Sequence, residues 1–559
     1  MSNGANTLIK TLCDSGVDTC FSNPGTSEMH FVAALDSSDM RAVLCLFEGV
    51  ATGAADGYAR IANKPAATLL HLGCGLGNGI ANLHNARKAR VPMINIIGDH
   101  ATHHKQYDAP LESDIETIAR NVSSWIRTCP ATEQVGADAA EAIEVAQKFP
   151  QQISTLILPA DVSWGEGGEA KVADLNPVAD VATEEVLSQI ADALLAGGKK
   201  TAILLGRRVL LEEGLVAASK IAEKTGAKLF TEVFPTRLER GAGLPHVERI
   251  AYLAEMASVQ LSGYKHLIII DSMEPVSFFA YPGKKSYLVP DKCKVHHLVK
   301  PDQDALASLQ ALVAAVGAQD TQPKLQQENR PELPKGKLNA SSVCQAVGAL
   351  MLENTIISDE AQTSGIKLPL HTEGAPRHDV LTLTGGAIGQ GLPVAIGASI
   401  AASAGATPTK KGRPVIALVG DGSAMYTIQS LWTMMNENLD VTVIVLNNRS
   451  YAILNIELER VGAEGAAEKA KSQLDLSKTE IDFVLMAKGM GMPAETATKA
   501  EEFNDALARA ISEPGPHLID AIVPSEYEGL KLKFLPHVLS AMGKIPSPLA
   551  KAIKRKIAP

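Results

Sequence analysis

Asp421 and Asn448 stand 27 residues apart, and the pattern between them puts both at one edge of a sheet. Val415 to Val419 is an apolar run suited to a strand buried on both faces, and it ends in Gly420-Asp421-Gly422. SAMYTIQSLWTMMNENL then repeats apolar side chains at Ile428, Leu431, Trp432 and Met435, the three-and-four spacing of a helix. VTVIVLNN is a second buried strand, closed by Asn447-Asn448. One helix joining two such strands is a right-handed crossover, so both strands end on the same edge, where open parallel sheets bind ligands. A carboxylate and an amide oxygen there are hard donors that suit Mg²⁺, which keeps water and takes its remaining ligands from phosphate. The helix beginning near Ser423 aims unpaired N–H groups at the same anion. The stretch predicts a pyrophosphate anchor.

GDG followed by NN at this distance resembles the signature of thiamin diphosphate (ThDP) enzymes. An isolated GDG is most often a tight turn; strand, helix, strand and NN together narrow the reading. The resemblance implies that Asp421 and the Asn448 side chain bind the metal, with the Ser450 main-chain carbonyl as third protein ligand. It also implies that Gly422, Ser423 and Tyr451 line the cofactor.

Two further stretches, SNPGTSE (Ser22 to Glu28) and FEGVATGAADGYAR (Phe47 to Arg60), resemble the start of benzoylformate decarboxylase and acetolactate synthase. Glu48 follows the apolar VLCLF, where a carboxylate is costly without a partner; a helix-start acid stabilised by the dipole is the plainer alternative. By the resemblance Glu48 hydrogen-bonds N1′ of the aminopyrimidine, so that the 4′-imine can take the C2 proton of the thiazolium. His71, at the end of ATLLH, matches an active-site histidine of benzoylformate decarboxylase, with a satisfied core histidine as the alternative. Thr26 falls where that enzyme has a serine reaching the substrate carboxylate. His100, His103 and His104 are read as a solvated loop, with a proton-relay cluster as the alternative. Gly73, Gly75, Gly77 and Gly79 never give G-x-G-x-x-G, so no nicotinamide site is expected.

In the last third, Glu360 to Ser364 resembles the family loop whose hydroxyls touch the diphosphate, which makes Thr363 and Gln362 candidates. LTLTGGAIGQGLPVAIGASIAA places Gly386 where relatives offer a carbonyl to the 4′-amino group. Ile388 falls at the bulky aliphatic side chain that holds the two rings bent toward each other.

The elements behind these residues divide 559 residues into a prior of three or four domains. Helix and strand alternate over 1–165, and GVATGAADGYARI is Ala-rich enough for another helix to pack closely on it. A linker follows to Glu184, then a second α/β unit (185–317) with strands TAILLG, FTEVF and HLIIID. The Pro- and Gln-rich stretch Ala318 to Leu338 is the clearest linker, and 338–525 forms the third unit, beginning with a helix and the strand TIISDEAQTSG. The fold class expected is α/β, with three doubly wound parallel sheets: pyrimidine-binding, central and pyrophosphate-binding. Relatives of the central unit include domains that carry FAD, but Gly206-Arg207-Arg208 is too little to predict a flavin. The tail 526–559 is basic: seven Lys and Arg lie between Val523 and Pro559 against Glu526 and Glu528. Tyr527 to Leu539 is read as a lid over the site, with a solvated terminus, or a basic amphipathic helix in PSPLAKAIKRKIAP at a membrane surface, as the alternatives.

A formal charge of −10 leaves no basic footprint, so nucleic acid is not an expected partner. Lys10 and Asp14 interrupt the opening stretch, so it reads as neither a signal peptide nor a membrane span. Seven scattered cysteines without C-x-x-C favour reduced thiols in a cytoplasm. The resemblance implies sites shared between subunits of a homodimer or homotetramer. It implies decarboxylation of a small 2-oxo acid through an enamine, with acetolactate synthase-like carboligation as the alternative. Phe278-Phe279-Ala280-Tyr281 departs from benzoylformate decarboxylase, which has a second histidine in this loop. A catalytically silent binding subunit is disfavoured because Glu48, Asp421 and Asn448 are all present.

Overall fold

Apolar strands alternating with helices build three parallel sheets in sequence along the chain. The computed structural model describes residues 3–175, 179–403, 412–461 and 468–525; the segment 526–559, with its expected lid, lies outside these. The first sheet contains β1 (Thr19–Asn23), β2 (Arg41–Leu44), β3 (Ala66–His71), β4 (Met93–Asp99), β5 (Trp125–Thr128) and β6 (Ile153–Pro159), in the order β2-β1-β3-β4-β6-β5. The middle sheet begins with β7 (Thr201–Leu205) and β8 (Lys228–Thr231). The chain then leaves it to make β9 (Leu238–Arg240) before returning for β10 (Glu248–Arg249), β11 (His266–Ile270) and β12 (Lys294–His297). The third sheet holds β13 (Thr355–Glu360), β14 (His378–Thr382), β15 (Val415–Gly420), β16 (Val441–Asn447), β17 (Ala494–Ala497) and β18 (His517–Ile522), in the order β17-β18-β16-β15-β13-β14-β9. β9 pairs antiparallel with β14. A strand from the middle of the chain therefore closes the edge of the third sheet.

Burial on both faces follows from the uninterrupted apolar runs. Val415, Ala417 and Val419 of β15 face one core cluster, and Ile416 and Leu418 face another. The first of these clusters also takes in Phe21, Leu70 and Ile97 of the first sheet, so one apolar core runs through both units. Two helices carry it: α1 (Glu48–Ala62) and α3 (Gly391–Ala402), with α2 (Leu72–Ala89) beside α1. They cross at glycines. A methyl on Gly57 would lie 2.1 Å from the Val394 carbonyl oxygen, and one on Gly397 would lie 1.8 Å from that of Ala54. The expected close packing against the Ala-rich helix is this crossing.

Three expected elements end early. FTEVF leaves the sheet after Thr231, three residues before the expected strand's end at Phe234. TIISDEAQTSG stops being a strand at Glu360, and Gln362, at φ 50°, turns the chain into a 3₁₀ turn, Gln362–Gly365. The helix expected from Ser423 to Leu439 is two pieces, Asp421–Ala424 and Ser430–Asn436. Between them the Thr427 hydroxyl is spent on the Gly389 carbonyl at 2.9 Å. β15 and β16 still lie side by side and parallel, so Asp421 and Asn448 follow neighbouring strands on one edge, as the crossover requires.

Candidate active site

At the carboxyl edge of the first sheet, Phe47 caps α1 and Glu48 is its first residue, 8% exposed. The carboxylate thus opens a helix, where the dipole favours it, rather than ending a strand. Asn78 Nδ2 donates to Glu48 Oε2 at 3.0 Å. β3 ends at His71, whose Nδ1 lies 2.8 Å from Glu28 Oε2 and 3.3 Å from Ser27 Oγ. Glu28 is 2% exposed and also accepts the Gly25 N–H at 2.7 Å. With Nδ1 donating to this carboxylate, the neutral imidazole carries its lone pair on Nε2. A methyl on Gly25 would sit 2.3 Å from His71 Nδ1, and one on Gly75 would lie 3.0 Å from Glu48 Oε1 and 3.5 Å from His71 Cβ. Glu48 and His71 therefore flank one glycine of α2. Thr26 is exposed in the turn Thr26–Glu28, and the hydroxyl beside the imidazole belongs to its neighbour Ser27. His103 and His104 are exposed and His100 half-buried, in the loop after β4.

At the carboxyl edge of the third sheet, Asp421 is 4% exposed. Among the described residues its oxygens accept from main-chain N–H groups, Gly422 at 2.8 Å and Arg449 at 2.6 Å, with Ser450 a further donor. Burial pushes the carboxyl above the usual carboxylate range, and no ion pair relieves it among the described residues. Asn448 Oδ1 accepts the Ser450 N–H at 2.9 Å, and Asn455 Nδ2 donates to Ser450 Oγ at 3.0 Å. Tyr451 lies against Gly422, where a methyl would meet its Cε1 at 2.4 Å. Ser423 is buried. No group of three His, Cys, Asp or Glu side chains is arranged for a metal among the described residues. A cation here would depend on Asp421, the Asn448 amide and main-chain oxygen, a hard donor set that a buried unpaired carboxylate would welcome.

Between these edges runs the turn Thr384–Gln390. Gly386 and Gly389 have φ of 79° and 96°, conformations that glycine alone takes without strain. Ile388 is half-buried. Asn85 grips Ala387 through Nδ2 to its carbonyl (2.8 Å) and Oδ1 from its N–H (3.2 Å), and Asn82 Nδ2 donates to the Gly389 carbonyl at 3.3 Å. One helix, α2, thus touches Glu48 through Asn78 and the turn through Asn82 and Asn85. Sequence reasoning missed these asparagines; their signal is the spacing of four and three, which puts them on one helix face. It also missed Glu28, which has no mark beyond its place in NPGTSE. Phe278 stacks over Gly386, its Cζ 2.4 Å from where a methyl would be, and packs on Phe234, Tyr252 and Phe279. Gln362 and Thr363 lie half-buried in the 3₁₀ turn after β13. Among the described residues no hydrogen bond or ion pair joins Glu48 or His71 to Asp421 or Asn448.

Residues 2–119 match the family description "Thiamine pyrophosphate enzyme, N-terminal TPP binding domain", and residues 367–521 match the "C-terminal TPP binding domain" of the same family. A Mycobacterium tuberculosis (strain H37Rv) protein named "Putative acetolactate synthase large subunit IlvX" is 54% identical over 527 residues, 94% of this chain and 99% of that protein. Benzoylformate decarboxylase of Pseudomonas aeruginosa is 26% identical over 542 residues, 91% of this chain and 96% of the enzyme. Among solved structures, the Rhodococcus jostii RHA1 thiamine diphosphate-dependent 4-hydroxybenzoylformate decarboxylase superposes with a TM-score of 0.80 at 22% identity, over 94% of this chain and 100% of that one, a likeness of fold. With a relative 54% identical along nearly its whole length and both cofactor-binding domains matched, the chain belongs to the thiamine pyrophosphate enzyme family.

Proposed function

We propose that this chain catalyses the ThDP- and Mg²⁺-dependent, non-oxidative decarboxylation of a small 2-oxo acid. The observation that carries this reading is the Glu28–His71 pair, 2.8 Å apart and flanking Gly75 together with Glu48. When bound, the cofactor would supply a nucleophilic carbon and an electron sink for the pair left by CO₂. The rest is proton handling and positioning by the chain. Glu48, buried and held by Asn78, is the group that exchanges a proton with the aminopyrimidine ring. His71, fixed in one tautomer by Glu28, exchanges a proton at Nε2 with the reacting carbon's substituents, with Thr26 offering its hydroxyl to the substrate carboxylate, while the Ser27 hydroxyl is already held by Glu28 Oε1 at 3.0 Å. Asp421, Asn448 and the Ser450 carbonyl hold Mg²⁺, while Gly422, Ser423, Tyr451, Gln362 and Thr363 surround the diphosphate. Gly386 and Ile388 seat the pyrimidine. No FAD is proposed.

A second reading, carbon–carbon ligation, is favoured by the name of the 54% identical relative and by the aromatic loop Phe278–Tyr281 in place of a second histidine. One assay separates the two: pyruvate, branched and aromatic 2-oxo acids, followed for CO₂ and for aldehyde against hydroxyketone or hydroxy-oxo acid. Aldehyde supports the first reading and ligated product the second. No CO₂ from any substrate with ThDP and Mg²⁺ present would sink both.

A further inference from the structure

Glu360 enters none of the roles above, yet it holds the turn on which Gly386 and Ile388 lie. It ends β13 at 2% exposure. Oε1 accepts the Gly389 N–H and Oε2 the Gly391 N–H, each at 2.6 Å, and the Gln390 N–H is a third donor. An ionised carboxylate, which only accepts, suits three converging N–H donors. These donors belong to the start of α3, whose first N–H groups have no partners within the helix and whose dipole favours an anion. A methyl on Gly391 would lie 2.8 Å from Glu360 Oε2, so carboxylate and helix start are in contact. The opposite side of the turn is tied down at the Gly389 carbonyl by Thr427 and Asn82.

We propose that Glu360 is a positioning residue whose carboxylate sets the Gly386–Gly391 turn in the shape that presents the Gly386 carbonyl and Ile388 to the cofactor's pyrimidine; this rests on the cofactor placement proposed above. The turn and α3 carry no titratable side chain of their own. The charged neighbours are Asp359 on the same strand, which faces Arg249 at 3.7 Å and Arg240, and the Asp56–Arg60 pair, which meets the turn through Gln390. Burial outweighs the three donors and pushes the Glu360 carboxyl up to about 7. Protonation puts an O–H where an N–H needs an acceptor, so one of the two short bonds is lost and the turn loosens as pH falls.

The test follows hydrogen exchange at the Gly389, Gln390 and Gly391 amides in the full, cofactor-free chain from about pH 5.5 to about 8.5, corrected for intrinsic rates. Calorimetric titration with ThDP and Mg²⁺ at the same pH values accompanies it. Wild-type protection is expected to rise with a midpoint near 7. Glu360→Gln should exchange about tenfold faster with no pH midpoint and bind ThDP about tenfold more weakly. Glu360→Asp should restore a midpoint. Flat wild-type protection, or wild-type exchange and affinity in Glu360→Gln, overturns the proposal; should Glu360→Gln not fold, the wild-type pH series decides alone. Failure of the wild-type chain to bind ThDP would sink the functional reading instead, since exchange is read without cofactor.

Discussion

Glu48 lies at the first position of a helix, and this decides what its replacement should do. Glu48→Gln keeps the shape and a partner for Asn78, and it removes only the proton that the carboxyl can hold. Turnover should fall by on the order of a hundredfold or more, with ThDP affinity within a few-fold by calorimetry; near-normal turnover would take Glu48 out of the chemistry. A second residue sets a pH limit on the fold. His378 opens β14 at 2% exposure, with Nδ1 2.7 Å from the Pro376 carbonyl and Nε2 without a partner among the described residues. Burial first, and Arg240 second, push its pKa down to about 3. The folded chain therefore keeps it neutral, whereas the unfolded chain takes up a proton below the ordinary value of 6.5. Its contribution to stability is whole above that value and is lost as pH falls toward 3. At about pH 5 the loss is about 2 kcal/mol. His378→Gln should show a smaller drop in urea midpoint between about pH 7 and pH 5 than wild type; an equal drop would contradict the assignment.

At the scale of elements, the α1–α3 crossing leaves no space for a methyl. Gly57→Ala would bring a carbon against the Val394 carbonyl, which neither helix backbone can withdraw. The chain should lose about 1–3 kcal/mol in denaturant titration, and an unchanged midpoint would mean that the two helices are not packed as described. The Ala-rich run Gly49 to Ile61 announces this crossing because small side chains at helical spacing have no other use in a buried helix. The same kind of reading reached the GDG-to-NN crossover, because β15 and β16 are uninterrupted apolar strands whose burial decides their conformation. It failed at Met425–Gln429, where helix periodicity continues in sequence but tertiary bonding wins: Thr427 serves the Gly389 carbonyl, and Tyr426 packs on Gly389 instead of continuing the helix. β9 was illegible for a related reason. Three residues carry little periodicity, and their pairing with β14 is a contact between distant parts of the chain. Asp421 and Glu48 could be picked out by their motifs. Glu28, Glu360 and the asparagines of α2 act through partners that no local pattern names.

For the whole molecule the main fact is that the candidate site comes in two parts. Glu48 and His71 stand at the edge of the first sheet and Asp421 and Asn448 at the edge of the third, with no bond between the pairs among the described residues. Each part is bordered by uncovered apolar side chains. Leu44 and Leu46, just before Glu48, are 41% and 48% exposed; Met425, Tyr426 and Leu454, around the GDG and NN turns, are 40%, 54% and 44% exposed. The Leu44 main chain is already fixed within the chain, its carbonyl accepting from Thr433 at 3.2 Å, so its side chain cannot turn inward without breaking that bond. Apolar side chains left this way at a functional edge point to a protein partner, and a second copy related by a two-fold axis would supply each half-site with the other. The expected outcome is a dimer or tetramer by light scattering, with Leu46→Lys shifting it toward monomer. Leu46 is on the surface, so the variant should keep its fold by circular dichroism. Its turnover should fall by about tenfold or more at low protein concentration and recover as concentration rises, because mass action restores the dimer. A Leu46→Lys monomer with full turnover at every concentration would place the whole site within one chain.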